Sequence, residues 1–162
     1  MLTNYVGKKG ITAVGAMLVF APLVGGSISA IISGDQMMAF GEMTKPALAP
    51  PGWLFPIAWT ILYLLMGLAL LYMIRSESKY KVGAVCFFIS QLGMNYLWSP
   101  VFFGQNDYYM AFAILVAMWL TTVICAIISW FVDKRATFCL IPLILWTTFA
   151  GYLNASIAIM NT

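Results

Sequence analysis

The chain is 162 residues long, and 63% of its residues are hydrophobic while only 8% are charged. Soluble domains contain about 25% charged residues, so this composition excludes a soluble globular protein and indicates an integral membrane protein. The net charge of +3 is not concentrated in a basic run, which argues against a nucleic-acid interface.

Five uncharged windows account for nearly the whole chain. Each is longer than the roughly 20 residues that an α-helix needs to cross the hydrocarbon core. We therefore predict an all-α integral membrane protein, a five-transmembrane-helix bundle with a long first extramembrane loop, forming a single domain over residues 1–162. The predicted spans lie at about residues 11–32, 53–74, 82–103, 108–132 and 136–160.

The first span and the loop after it differ from the rest in glycine and proline content. Small residues in the span permit close helix packing, and Pro22 is expected to kink it. Pro46, Pro50 and Pro51 predict an extended backbone in the loop, because proline fixes φ and lacks an N–H. Long loops in compact proteins are often lids, so we expect residues 33–52 to cover a binding site.

Aromatic residues mark the start of the second span. Trp53 begins it, and Trp59 and Tyr63 share one helical face because they are four residues apart. Packing between helices is the alternative interpretation for each of these side chains. A role in binding is favoured by what the third and fifth spans carry.

Polar and aromatic residues form one stripe on each of these two spans. Polar groups inside a membrane need partners, so the stripes are expected to face the bundle interior. The helical rise places them at the depth of Trp59, under the first loop, which predicts a cavity for a large, flat, mostly apolar ligand. Alternatively, the asparagines only hold helices together. The stripes are Gln91, Asn95, Trp98 and Ser99 on the third span, and Trp146, Ala150 and Asn154 on the fifth.

The distribution of basic residues predicts the orientation. With five spans, seven basic residues fall on the side of the N-terminus and the second and fourth loops, and only Lys45 falls on the other side. By the positive-inside rule, the N-terminus is expected in the cytoplasm and the C-terminus outside. The seven residues are Lys8, Lys9, Arg75, Lys79, Lys81, Lys134 and Arg135.

The residue types that are missing restrict the chemistry. The chain has no histidine, and its predicted spans contain no charged residue. Haem ligation by histidine, a hydrolytic metal site and ion-coupled transport are therefore disfavoured, and nucleophilic catalysis lacks a base. We predict no metal site and no required cofactor.

Several motifs match one known protein family. They are Lys45-Pro46, Pro50-Pro51-Gly52-Trp53, Phe55-Pro56, Trp59, the run from Asn95 to Gly104, Pro142, Trp146, Ala150 and Leu153-Asn154. With these motifs the chain resembles, over essentially its full length, a bacterial member of the TspO/translocator protein family, the tryptophan-rich sensory proteins or peripheral benzodiazepine receptors. The resemblance implies five transmembrane helices, a homodimer in the bacterial cell (inner) membrane, and a pocket for porphyrins and other hydrophobic ligands under the first loop.

Two functions follow from the resemblance. The first is a membrane receptor or carrier for porphyrins (tetrapyrroles) and similar ligands, linked to stress sensing or transport. The alternative is light- and oxygen-dependent degradation of bound porphyrin, with Trp59 and Trp146 as candidate catalytic residues. With Trp53 added from the start of the second span and Asn154 from the stripe of the fifth, the predicted ligand-binding residues are Pro50, Trp53, Trp59, Tyr63, Asn95, Trp98, Ser99, Trp146, Ala150 and Asn154.

The chain departs from the family pattern in its first loop and its last span. Ala39-Phe40 stands where the family usually has Trp-Tyr, and Leu48 stands where it has Trp, so a less aromatic lid is expected. No basic residue follows Arg135, and the sterol-recognition pattern of animal members is therefore not predicted.

Overall fold

The computed structural model describes the backbone of residues 8–161 and the side chains of residues 13–36 and 38–161. The regular structure in this part of the chain is entirely helical. The side chains of Lys8 and Lys9, which enter the predicted orientation, lie outside the described residues. The α-helices are α1 (Lys8–Ile32), α2 (Gln36–Glu42), α3 (Leu54–Arg75), α4 (Lys81–Ser99), α5 (Tyr108–Trp130) and α6 (Lys134–Asn161), with a π-helical turn over Pro100–Gly104 after α4.

The segment between α1 and α3 contains a helix of its own. The Asp35 carboxylate accepts a hydrogen bond from the Met38 backbone N–H at 3.0 Å and so caps the start of α2. This part of the predicted loop is therefore helical. The extended backbone expected from the prolines is confined to the residues that follow Glu42.

Four of the described helices are long and apolar enough to cross a membrane: Ala13–Ile32, Leu54–Arg75, Tyr108–Trp130 and Lys134–Asn161. The remaining long helix, α4, has 19 residues and includes Gln91 and Asn95, which lower its mean hydropathy. Both of these side chains are buried inside the bundle. The polar residues that weaken the membrane signal of α4 therefore face protein.

The helices pack in a defined order. α4 packs on α5, α5 on α6, α6 on α3 and α3 on α1, while α1 also touches α4. One apolar cluster, around Met66, Phe88 and Leu140, lies between α3, α4, α5 and α6. A second cluster includes Phe40 and Phe102, so it reaches from the long helices to α2 and the π-helical turn.

A proline determines how α4 ends. Pro100 has no N–H, so it cannot donate to the Tyr96 carbonyl four residues earlier. The Ser29 hydroxyl of α1 donates to that carbonyl instead, at 2.6 Å. Beyond Pro100 the chain widens into the π-helical turn, closed by the Gln105 N–H donating to the Pro100 carbonyl at 3.0 Å. The third span, expected to be one α-helix to residue 103, therefore ends as an α-helix at Ser99. The carbonyl that Pro100 leaves without its usual donor is bonded by Ser29, which joins α4 to α1.

Glycines of α1 make room for two tyrosine rings. A Cβ at Gly25 would overlap the ring of Tyr96, and a Cβ at Gly26 would overlap the ring of Tyr63. The Tyr96 hydroxyl donates to the Pro22 carbonyl at 2.9 Å. The sequence predicts close packing by the small residues of the first span. In the structure, the rings of Tyr96 and Tyr63 pack directly on the α1 backbone at Gly25 and Gly26.

Gly67 of α3 makes room for the backbone of α1, because it has no side chain at the point where the two helices meet. A Cβ at this position would overlap the carbonyl oxygen of Val19. Gly83 of α4, by contrast, has open space at the corresponding point. The two glycines form a matched pair, since both lie within helices and one of them sits at a helix contact.

We predict that Gly67→Ala lowers the free energy of unfolding by about 1–3 kcal/mol, because the added methyl group forces α1 away from α3. Gly83→Ala should leave stability unchanged or raise it by up to about 1 kcal/mol through higher helix propensity. Denaturant unfolding in detergent micelles measures both variants. Equal effects of the two substitutions would contradict the close contact between α1 and α3.

Candidate functional site

A cavity of about 200 Å³ lies between α1, α3 and α4, next to α2. Its walls are mostly apolar and include three large aromatic side chains of the predicted set, Trp59, Tyr63 and Trp98. No charged residue is among the described residues that line it. The cavity lies near the end of the bundle where α3 begins and α4 ends.

Five of the predicted ligand-binding residues line this cavity together. Trp59 and Tyr63 come from α3, and Asn95, Trp98 and Ser99 come from α4. The Tyr63 hydroxyl donates to Asn95 Oδ1 at 2.6 Å, and the Trp59 and Tyr63 rings contact each other with centroids 5.5 Å apart. The spacing of these residues along their helices is what places them on facing sides.

The three predicted residues of α6 lie behind this wall. The Trp146 ring meets the Trp59 ring edge to face, with centroids 6.5 Å apart. Asn154 Oδ1 accepts a hydrogen bond from Trp98 Nε1 at 3.0 Å, and Ala150 is buried in the cluster that includes Trp98. Because α6 packs on α3 and α5, these side chains support the rings that line the cavity and are not among its lining residues.

Two predicted residues near the start of α3 are also not among the lining residues. Trp53 immediately precedes α3 and is 57% exposed, and Pro50 is half-buried in the segment before it. Gly52, Phe55 and Pro56 from the same region do line the cavity. The start of α3 therefore contributes Gly52, Phe55 and Pro56 to the cavity wall, and not Pro50 and Trp53 as expected.

Residues of α1 and α2 form a wall that the sequence reasoning missed. Leu23, Gly26 and Ser29 of α1 line the cavity, as do Gln36 and Phe40 of α2. The run of small residues in the first span is the available signal in the sequence, but it predicts only close helix packing. Because Gly26 lines the cavity with its backbone, this wall leaves no stripe of large apolar residues in the sequence.

Hydrogen bonds hold α2 against the end of α4. Gln36 Nε2 donates to Ser99 Oγ at 2.6 Å, and the Ser33 hydroxyl donates to the same oxygen at 3.0 Å. Phe40 is 5% exposed and packs on Phe55 with ring centroids 4.9 Å apart. The phenylalanine at the departure from the family pattern therefore belongs to the cavity wall.

Lys45 closes the end of α2. Its Nζ donates to the carbonyls of Phe40 at 2.8 Å and Gly41 at 3.1 Å, and it lies 4.9 Å from the centroid of the Phe40 ring. A cation at the C-terminal end of a helix satisfies carbonyls that have no partner within the helix. The preceding residue, Thr44, exchanges two hydrogen bonds with Asn161, each 2.9 Å long, which fix the segment after α2 to the end of α6.

Several buried polar atoms near the cavity have no partner within the described residues. They are both side-chain atoms of the Gln91 amide, the Asn95 Nδ2 and the Trp146 Nε1. A buried donor without a partner is costly in a medium that excludes water. Of these residues Asn95 lines the cavity. The aromatic rings of the lining can stack on an apolar molecule there, and Asn95 Nδ2 can donate a hydrogen bond to one of its polar groups.

The cavity reaches the outer surface of the bundle between two helices. Ser27 and Ala30 of α1 and Pro56 and Thr60 of α3 line it and are exposed. All four lie in helices that are apolar enough to cross a membrane. The cavity therefore opens sideways, between α1 and α3, and not at the end of the bundle that α2 covers.

Comparison with known proteins agrees with the motifs. The family model described as the TspO/MBR family matches residues 18–160. The tryptophan-rich protein TspO of Chlorobaculum tepidum is 37% identical over 75% of this chain and 78% of its own. Protein CrtK of Rhodobacter capsulatus is 33% identical, with 75% and 78% covered, and the translocator protein of Bos taurus is 34% identical, with 89% and 86% covered.

We predict that Trp98→Phe lowers the free energy of unfolding by about 1–3 kcal/mol, because it removes the donor to the buried Asn154 oxygen. Trp119→Phe is the matched control. Trp119 Nε1 donates to the exposed Thr148 hydroxyl at 2.8 Å, and that hydroxyl also donates to the Ile144 carbonyl. Its loss should cost less than about 1 kcal/mol.

Unfolding in mixed micelles, followed by circular dichroism, compares the two tryptophan variants. If Trp119→Phe were as destabilising as Trp98→Phe, the buried bond to Asn154 would not be the reason for the effect.

Proposed function

The chain belongs to the TspO/MBR family, and from this membership and the aromatic cavity we propose that it binds porphyrins and other hydrophobic ligands. As a multi-pass membrane protein of this family, it would act as a receptor or carrier, linked to stress sensing or transport. The observation that supports this function best is the cavity walled by Trp59, Tyr63 and Trp98 without a charged side chain among its described lining residues.

The chemistry of the lining suits a flat, conjugated, mostly apolar ligand. Aromatic side chains offer stacking faces to such a molecule, and each aromatic contact contributes about 0.5–1.5 kcal/mol beyond the buried area. Asn95 lines the cavity, and its Nδ2, which has no partner among the described residues, is a donor that suits an oxygen atom on the edge of the ligand. In this proposal Pro50 and Trp53 act from the segment beside the cavity, and Ala150 and Asn154 support Trp98 from behind.

We also propose that α4 completes a bundle of five transmembrane helices. Its polar residues Gln91 and Asn95 face protein, while Val82, Ile89 and Leu97 are exposed on its outer side. The distribution of basic residues favours a cytoplasmic N-terminus and an outer C-terminus in a bacterial inner membrane. Gly93 leaves open space on the same helix, which suits the close approach of a second copy in a homodimer.

Replacing a lining tryptophan tests the binding function. We predict that Trp59→Leu weakens protoporphyrin binding about tenfold, which corresponds to about 1.4 kcal/mol, the scale of one lost stacking contact. Trp119→Leu is the matched control, since Trp119 lies in a separate groove between α5 and α6. Absorbance titration in darkness, on variants with unchanged melting temperatures, gives both affinities.

Two results would contradict this assignment. Unchanged affinity in Trp59→Leu would remove the cavity from the binding site. Equal losses in the two variants would place the porphyrin on the outer groove or on the general apolar surface.

One contact favours the enzymatic alternative as a second candidate. The edge-to-face pair of Trp59 and Trp146 joins a cavity-lining indole to a half-buried one whose Nε1 has no partner among the described residues. In this reading, light excites the bound porphyrin, molecular oxygen is the oxidant, and the two indoles are the redox-active side chains. The candidate catalytic residues are those expected from the sequence.

For this candidate we predict that illuminated protein consumes protoporphyrin in air, whereas the Trp59→Phe/Trp146→Phe double variant consumes it no faster than free porphyrin. Phenylalanine keeps an aromatic ring but is far harder to oxidise than indole. A Trp119→Phe/Trp130→Phe protein is the control. Loss of absorbance at equal rates in all samples would mean ordinary photobleaching and would exclude the enzymatic function.

A further inference from the structure

Two loops at the end of the bundle far from the cavity are bonded to each other. Ser76 and Ser78, which follow α3, donate from their hydroxyl groups to the carbonyls of Val132 and Phe131, each at 2.9 Å. The rings of Tyr80 and Phe131 also contact, with centroids 6.0 Å apart. The loops therefore form one continuous surface, here called the basic end, consisting of residues 75–81 and 130–135.

Positive charge at the basic end is only partly neutralised. Five basic residues stand there against two acidic residues, Glu77 and Asp133. Among the described residues the one salt bridge joins Arg135 and Asp133 at 2.8 Å. The Arg135 side chain, hydrogen-bonded to this carboxylate, holds the pKa of Asp133 below its ordinary value, so the pair stays ionised. The charge of Asp133 compensates that of Arg135, so Arg75 and the three lysines remain against Glu77.

Two lysines of the basic end are held near aromatic rings. Lys79 Nζ lies 5.1 Å from the centroid of the Tyr80 ring, and Lys134 Nζ lies 4.8 Å from that of Trp130. Lys81, by contrast, donates to the Ile74 carbonyl at 3.2 Å. Lys79 and Lys134 therefore carry charges that have neither a carboxylate nor a carbonyl partner in the described chain.

The aromatic residues place these charges at a defined depth. Tyr80 is 47% exposed, Trp130 44% and Phe131 62%; Tyr80 directly precedes α4, and Trp130 and Phe131 lie at the end of the apolar helix α5. Tryptophan and tyrosine in such positions lie at the level of the lipid headgroups. Cations stacked on those rings consequently lie at the level of the lipid phosphates.

We propose that the basic end binds the phosphate groups of anionic phospholipids through Lys79 and Lys134. Clusters of lysine and arginine next to a membrane-spanning segment attract anionic lipid. A lipid is favoured over a soluble anion because the same surface presents exposed aromatic rings to the acyl region. At the opposite end the one basic residue among those described is Lys45, and its charge is used on the carbonyls of α2.

Native mass spectrometry of the purified full chain tests this proposal with two probes that share their acyl chains, dioleoyl phosphatidylglycerol and dioleoyl phosphatidylcholine. The wild type should bind the anionic lipid about tenfold more tightly than the neutral one. Lys79→Gln/Lys134→Gln should lose most of this preference, with each single variant intermediate. Lys45→Gln, the same change at the other end, should keep it.

Further measurements separate folding and free anions from the lipid effect. Melting temperatures in neutral lipid should be equal for the wild type and the double variant, and high salt should reduce the preference of the wild type. Equal binding of the two lipids, a double variant that keeps the preference, or an equal loss in Lys45→Gln would overturn the proposal. So would displacement of the bound lipid by millimolar inorganic phosphate. None of these results depends on porphyrin binding, so the two functions are tested separately.

Discussion

The cavity depends on two positions in α1 that carry no side chain. The rings of Tyr63 and Tyr96 occupy the space where side chains at Gly26 and Gly25 would lie, so α3 and α4 approach α1 closely. From there the Tyr63 hydroxyl reaches Asn95 and the Tyr96 hydroxyl reaches the Pro22 carbonyl. The same three helices surround the cavity, and its shape therefore follows from how these two rings are seated.

Among the described residues, four buried side-chain nitrogen and oxygen atoms have no hydrogen-bond partner, and they belong to Gln91, Asn95 and Trp146. Asn154 uses Oδ1 for Trp98 and Nδ2 for the Tyr108 carbonyl, at 3.0 and 2.8 Å. Asn95 uses only its oxygen, and Gln91 uses neither of its polar atoms. Because unpaired polar groups are costly in an environment without water, Asn154 of α6 fits a structural role, whereas Asn95 of α4, which lines the cavity, keeps a donor without a partner among the described residues.

Much of the helical fold could be predicted because long uncharged windows carry a strong signal. The second span, expected at residues 53–74, is observed as Leu54–Arg75. The seven residues of α2 have no comparable signal, since their identity as a helix depends on the Asp35 cap and on packing by Phe40. The end of α4 at Ser99 required the consequence of Pro100 for hydrogen bonding, which hydropathy does not register.

The candidate site could be predicted only as far as helical periodicity reaches. Spacing placed Trp59 with Tyr63 and Asn95 with Trp98, and the structure brings these two pairs to one cavity. Spacing also grouped Trp146, Ala150 and Asn154, but it does not say which neighbour a helical face meets. That depends on the packing of α6 against α3 and α5. The wall formed by α1 escaped detection because a glycine surface leaves no apolar residue to count.

The serine bonds between the loops after α3 and α5 have a mechanical consequence for the bundle. They tie α3, α4, α5 and α6 together at one end, while the cavity lies at the other, where α2 rests against Ser99 through side-chain bonds. The four helices are therefore held at a common end, about which their angles to one another are defined. For any tilt of α3 about this end, the sideways displacement grows along the helix towards the cavity, so the width of the cavity beside Trp59 depends strongly on the angle of α3.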